Sequence, residues 1–159
     1  MSWFEDLTPA GSTHQRVGWL ARDHAFPTGP VSAAFVARLR ALAVHARANQ
    51  ARGYHRCELC TNGPVSSAEI WARARDGTFY VAPELIVHYV EDHHYAPPEV
   101  FVTAVLDSAH LTRRRDPDLC LTCGGHLSDQ IPGRWCGTCG IYYQAPLHRP
   151  RGFDDDDSR

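Results

Sequence analysis

Every cysteine in this chain belongs to a C-x2-C pair: Cys57 with Cys60, Cys120 with Cys123, and Cys136 with Cys139. Six thiols scattered at random would not sort this way. Reduced thiols at that spacing more often bind metal than close disulfides, so zinc is predicted to organise the fold. The first pair is followed downstream by His88-Tyr89-Val90-Glu91-Asp92-His93-His94. Two thiolates with two imidazoles form the ligand set of a structural zinc site.

Cys57-Glu58-Leu59-Cys60 is the shortest loop that turns two sulfurs toward one ion. His88 to His93 leaves four residues between, and His88 to His94 leaves five. Both fall within the three-to-five window of zinc-finger histidine pairs. On an ideal helix a step of five rotates a side chain by roughly 140°, so the last turn must loosen for both rings to meet one metal. Tyr95-Ala96-Pro97-Pro98 favours that break, because a residue before proline avoids helical geometry. The fourth ligand is therefore His93 or His94, and the other ring faces solvent. The pattern His88-x-x-Glu91-x-His93 is neither H-E-x-x-H nor its inverse. A closed set of four protein ligands also leaves no position for an activated water, so a structural site is expected.

A second set lies near the C-terminus, where Cys120, Cys123, Cys136 and Cys139 follow the formula C-x2-C-x12-C-x2-C. Glycine stands directly after each pair, at Gly124 and Gly140, where a knuckle takes a positive φ. Ile141-Tyr142-Tyr143 reads as a strand of a small β ribbon. Two structural zinc ions are thus predicted.

Between these landmarks the elements follow from periodicity and breakers. Residues 1–29 are rich in breakers, with Val17-Gly18-Trp19-Leu20 as a candidate short strand and Trp3, Phe4 and Trp19 as docking aromatics. Arg22-Asp23-His24 reads as a solvated turn rather than a catalytic cluster. A helix is predicted from Pro30, with Val31, Phe35, Leu39 and Leu42 on one stripe, His45 continuing it as a packing residue, and its end before Gly53. Ala68–Ala72 and Thr78–Val81 read as a hairpin turning at Arg75-Asp76-Gly77. A second helix is predicted from Pro83, packing through Leu85, Ile86, Tyr89 and Val90. A third begins at Pro98, with Phe101, Ala104, Val105 and Leu111 inside.

Hydrophobic residues make up 43% of the 159 and charged residues 21%, which suits one globular domain or two small ones. No apolar run approaches the roughly 18 residues needed to span a bilayer, and the first residues lack a secretory pattern. A cytoplasmic protein without a membrane partner is the expectation. A net charge of −2 sets up no global field toward nucleic acid, although Arg113, Arg114, Arg115, Arg134, Arg149 and Arg151 crowd the last third.

The opening Trp3-Phe4-Glu5-Asp6-Leu7, then Gly18-Trp19-Leu20 and Gly53-Tyr54-His55 before the thiols, resemble a group of small uncharacterised bacterial cytosolic proteins. The likeness continues through Ala82-Pro83-x-Leu85-Ile86-x-His88-Tyr89-Val90, His93 and Pro97-Pro98, and spans roughly residues 1–106. That group has a histidine matching His93 and commonly a glycine where this chain has His94. The resemblance therefore implies Cys57, Cys60, His88 and His93 as the first ligand set, and brings no activity with it. The last module separately looks like a zinc ribbon, which serves nucleic-acid and protein contacts alike.

The fold class expected is α+β: a small zinc-stabilised domain of knuckle, β-hairpin and helices over 1–112, then a zinc-ribbon-like β module over 113–148. Residues 149–159 are expected to be an acidic disordered tail. No nucleophile, carboxylate pair or phosphate loop stands out. The function expected is a non-enzymatic adaptor or interaction protein with structural zinc and a protein partner. One alternative is nucleic-acid binding through the ribbon with Arg113–Arg115, Arg134 and Trp135. Another is a metal-dependent enzyme using its surplus histidines, among them His24, His55, His93 and His94. No small-molecule substrate is indicated.

Overall fold

The computed structural model describes residues 3–11, 14–45, 47–49, 54–107, 120, 125–130, 133–138, 140 and 142–144. It is a mixed α+β structure. In chain order it comprises β1 (His14–Arg16), α1 (Ala33–His45), β2 (Arg47–Ala48), β3 (His55–Arg56), β4 (Val65–Ser66), β5 (Glu69–Arg73) and β6 (Phe79–Pro83). These are followed by α2 (Ile86–Asp92), α3 (Glu99–Asp107), β7 (Leu127–Gln130), β8 (Gly133–Cys136) and β9 (Tyr142–Gln144).

The central sheet has the order β1-β6-β5-β2. Its hub is the β5–β6 hairpin, paired antiparallel from Glu69↔Pro83 to Arg73↔Phe79. The turn between them is closed locally, with the Asp76 carboxylate accepting from the Thr78 amide at 2.9 Å. That hydrogen bond holds the Asp76 carboxyl below its ordinary range. β1 adds in parallel to β6, and β2 antiparallel to β5.

Both faces of this sheet are covered, as the side-chain alternation of a strand requires when every residue of β6 is buried. Ile70, Ala72, Tyr80 and Ala82 face the helical layer, packing with Phe35, Leu39 and Leu42 of α1, Ile86 and Tyr89 of α2, and Phe101 and Val105 of α3. Trp71, Phe79 and Val81 face the other way. With Ala48 they pack against Cys120 and Cys136, and Leu127 lies at the edge of the cluster. The C-terminal β structure thus closes the second face of the sheet. A backbone bond from the Asn49 amide to the Tyr142 carbonyl at 3.4 Å joins it to the β2 side.

The N-terminal arm is fastened by polar contacts. The Asp6 carboxylate accepts from the Gly18 amide at 2.8 Å and from the buried Tyr95 hydroxyl at 2.7 Å. Burial, then the Asp6 charge, raise the Tyr95 phenol well above its ordinary pKa, so it remains a donor. Trp19 donates its indole N–H to the Val81 carbonyl at 3.3 Å, and Trp3 stacks on His24 at 3.8 Å.

Some boundaries differ from the sequence expectation. The strand in the arm is His14–Arg16, just before Val17 and Leu20, which go to the core. The first helix starts at Ala33 rather than Pro30, where the Ser32 hydroxyl accepts from the Phe35 amide at 3.2 Å. Pro83 ends β6 instead of opening α2, because it still pairs with Glu69; the helix is entered through Leu85. Leu111, Arg113–Arg115 and residues 149–159 lie outside the described residues, as does the side chain of His45.

Trp71→Ala is expected to cost about 3–5 kcal/mol, the usual penalty for deleting a buried large aromatic. Thermal unfolding should read that loss. Limited proteolysis should cut around β7–β9 before the helical layer, because Trp71 packs with Cys120 and Cys136 on that side.

Candidate metal centre

The first thiol pair sits at the tip of a short hairpin. β3 and β4 pair through His55↔Ser66 and Arg56↔Val65, and the Cys57 amide continues the ladder to the Pro64 carbonyl at 3.0 Å. The loop needs a glycine at Gly63. A β-carbon there would lie 2.6 Å from the Cys57 Cβ and 2.9 Å from the Cys60 Cβ, so any side chain would drive into the knuckle. Two arginines hold the loop from outside. Arg22 donates to the Glu58 carbonyl at 2.8 Å and Arg56 to the Gly63 carbonyl at 2.9 Å. Arg22 is thus a buttress of the knuckle, which its polar neighbours in sequence did not reveal.

The imidazoles come from α2 and its C-terminal turn. His88 lies one helical turn before Asp92. His93 has left helical geometry at φ −111°, ψ 5°, and His94 follows at φ +54°. The amides of His93 and Tyr95 both end on the Tyr89 carbonyl, at 3.2 and 3.0 Å. This tight left-handed turn swings the His93 ring back toward His88 and leaves His94 exposed. The loosened last turn that two imidazoles five residues apart require is therefore present.

Cys57, Cys60, His88 and His93 form one cluster, with a ligand atom of each within 4.8 Å of the others. His93 Nε2 lies 3.4 Å from Cys57 Sγ and 3.2 Å from Cys60 Sγ. His88 Nε2 lies 3.4 Å from Cys60 Sγ and 3.1 Å from His93 Nε2. Tetrahedral zinc with bonds of about 2.3 Å to sulfur and 2.0–2.1 Å to nitrogen separates its ligands by roughly 3.5 Å (S···N) and 3.3 Å (N···N). The observed spacings fall within a few tenths of an ångström of these. The residues present fit such an ion.

The supporting groups are in place too. Asp92 accepts from His88 Nδ1 at 2.5 Å, which directs Nε2 into the cluster and fixes the ring. Glu91, the carboxylate that a hydrolytic motif would recruit, instead pairs with Arg40 of α1 at 2.5 Å. Asp92, and not the Glu91 of the rejected hydrolytic pattern, is the carboxylate that supports the cluster. The i, i+4 spacing from His88 was the available sign.

Burial, then the neighbouring Cys57, raise the Cys60 thiol above its ordinary pKa in the metal-free cluster. Burial, followed by the nearby His88, lowers His93. Metal entry must therefore expel a thiol proton and meets an imidazole already biased toward its neutral form. The Tyr89 hydroxyl is fully buried here and unpartnered among the described residues. Burial first, then Cys57, Glu58 and Cys60, keep its proton on.

Of the second predicted set, Cys120 and Cys136 are buried at 1% and 0% exposure in the outer cluster. Cys123 and Cys139 lie outside the described residues. β7, β8 and β9 form a three-stranded antiparallel sheet. The Cys120 amide bonds to the Gly125 carbonyl at 2.7 Å and the Gly140 amide to the Cys136 carbonyl at 2.8 Å, both tight returns after a cysteine. Gly140 has φ +74°. Arg134 bonds Asp129 at 2.9 Å and the Leu127 carbonyl at 3.4 Å, and Trp135 is 38% exposed.

Fold and cluster together define a small α+β domain with a Cys2His2 set that could hold a metal ion. A family model described as a domain of unknown function (DUF7919) matches residues 2–106, and the chain belongs to that family. The match ends within α3, so the β7–β9 sheet lies beyond it. No curated protein and no solved structure matches the chain. Among the described residues, no helix is long and apolar enough to cross a membrane.

Two outcomes follow. His94→Gly is expected to raise thermal stability by up to about 1 kcal/mol, since glycine takes the left-handed conformation without the Cβ penalty, and to leave metal content unchanged. Acidification should release metal, because protons compete with the ion for the two thiolates and two imidazoles. It should also destabilise the metal-free cluster below the ordinary histidine range. The sign follows from His93: its folded pKa is depressed, so its contribution to stability is full above the ordinary value and is lost as pH falls. A chromogenic zinc indicator and circular dichroism, read across that window, check both parts.

Proposed function

We propose that this chain is a zinc-binding, non-enzymatic adaptor or interaction protein in which the metal has a structural role. The observation that carries the reading is the closed set of Cys57, Cys60, His88 and His93, four protein ligands with no position left for a reacting water. Cys120, Cys123, Cys136 and Cys139 supply a second zinc on this reading, and residues 113–148 act as a zinc-ribbon-like cap. Tight returns after Cys120 and Cys136 support that assignment. A cytoplasmic location suits six paired cysteines kept as thiolates, and the partner is a protein.

Binding of nucleic acid through the ribbon is the second reading, favoured by the exposed Trp135. Against it, Arg134 is already engaged by Asp129, which leaves its charge compensated. Metal-dependent catalysis is disfavoured by the closed ligand set and by the engagement of Glu91 with Arg40.

Zinc measured by elemental analysis on the purified full chain should give two ions per chain. Cys57→Ser should lose one of them and become protease-sensitive, because structural zinc contributes on the order of 10–16 kcal/mol in small peptides. Asp92→Asn, which keeps all four ligands, should fold but bind that zinc roughly 10–100-fold more weakly. Full zinc stoichiometry in Cys57→Ser contradicts the assignment. Retention of the chain on DNA or RNA that weakens with salt would favour the second reading.

A further inference from the structure

The described cysteines differ in access. Cys120 and Cys136 are sealed under Trp71, Phe79 and Val81. The knuckle, by contrast, borders a surface cavity of about 410 Å³ lined by Arg22, Asp23, Arg56, Cys57, Glu58 and Thr61 as well as Cys60. Within that pair the exposure is unequal: Cys57 is 1% exposed and Cys60 is partly open. The two Sγ atoms lie within 4.8 Å of one another at the ends of a four-residue loop, close enough for a shift of the loop to join them.

We infer that the knuckle is a peroxide-sensitive metal-release site, with Cys60 as the sulfur that is attacked and Cys57 as the one that resolves it. The inference deepens the zinc reading of this cluster and rests on it. In the first step the Cys60 thiolate attacks a hydroperoxide, here hydrogen peroxide. One oxygen stays on sulfur as a sulfenic acid, the O–O bond breaks, and hydroxide leaves. In the second, the Cys57 thiolate attacks the Cys60 sulfur, the S–S bond forms and a second hydroxide leaves. The two thiolates lose two electrons and the peroxide gains them. With both sulfurs oxidised, His88 and His93 alone remain as ligands, and zinc departs into solution. Release of α2 from the β3–β4 hairpin follows, since the four ligands come from those two places.

The test uses the full chain as purified, with zinc counted before treatment. Hydrogen peroxide is added in stepwise equivalents, free zinc is followed with a chromogenic chelator, and thiols are mapped by differential alkylation and peptide mass. The expected result is loss of one zinc equivalent together with a Cys57–Cys60 disulfide, while Cys120 and Cys136 remain reduced. A dithiol plus zinc should then restore the starting count. Oxidation of Cys120 and Cys136 at the same dose, or zinc loss with Cys57 and Cys60 both still reduced, overturns the inference and leaves the zinc reading intact. Absence of zinc from the cluster before any peroxide is added sinks the zinc reading itself, and the inference with it.

Discussion

Four side chains from two distant stretches of chain, the β3–β4 loop and the C-terminal half of α2 with its following turn, meet within 4.8 Å. Cys57 and Cys60 ride on a hairpin whose two strands are only two residues each. A two-stranded ribbon of that size has no independent stability in water. The helix α2 is seven residues long, well short of what persists alone. Each element is marginal by itself. Ligation to a common ion would let each fix the other, as small metal-bound domains do in place of a larger apolar interior.

The second constraint is the hairpin β5–β6. Because it is buried on both faces, it needs two covering layers. The helices supply one from within the family domain, while the other comes from the β7–β9 side, beyond residue 106. The described β7–β9 sheet therefore packs against the domain that precedes it. Cys120 and Cys136 occupy the same apolar cluster as Trp71 and Phe79.

Much of this was legible in the sequence, for local reasons. The thiol spacing and the histidines before Pro97-Pro98 pointed to Cys57, Cys60 and His88 with His93 or His94, because ligand chemistry and proline restrictions act over a few residues. The family resemblance favoured His93, which the cluster contains. The stripe of Phe35, Leu39 and Leu42 and the turn at Asp76-Gly77 were equally local and are found as read. What escaped was set by tertiary packing. Arg22 holding the Glu58 carbonyl, Asp6 joining Gly18 to Tyr95, and the sheet's second cover each connect residues far apart in the chain. The end of β6 at Pro83 escaped for a different reason. Proline suits a helix start and a strand end alike, and only pairing with Glu69 decides between them.

The central claim is that two sulfurs and two imidazole nitrogens share one zinc. X-ray absorption at the zinc edge of the full chain tests it directly. The account predicts nitrogen scattering at about 2.0–2.1 Å beside sulfur at about 2.3 Å, with the nitrogen component lost when His88 and His93 are both replaced by alanine. A shell of sulfur alone, or one dominated by oxygen, would contradict it.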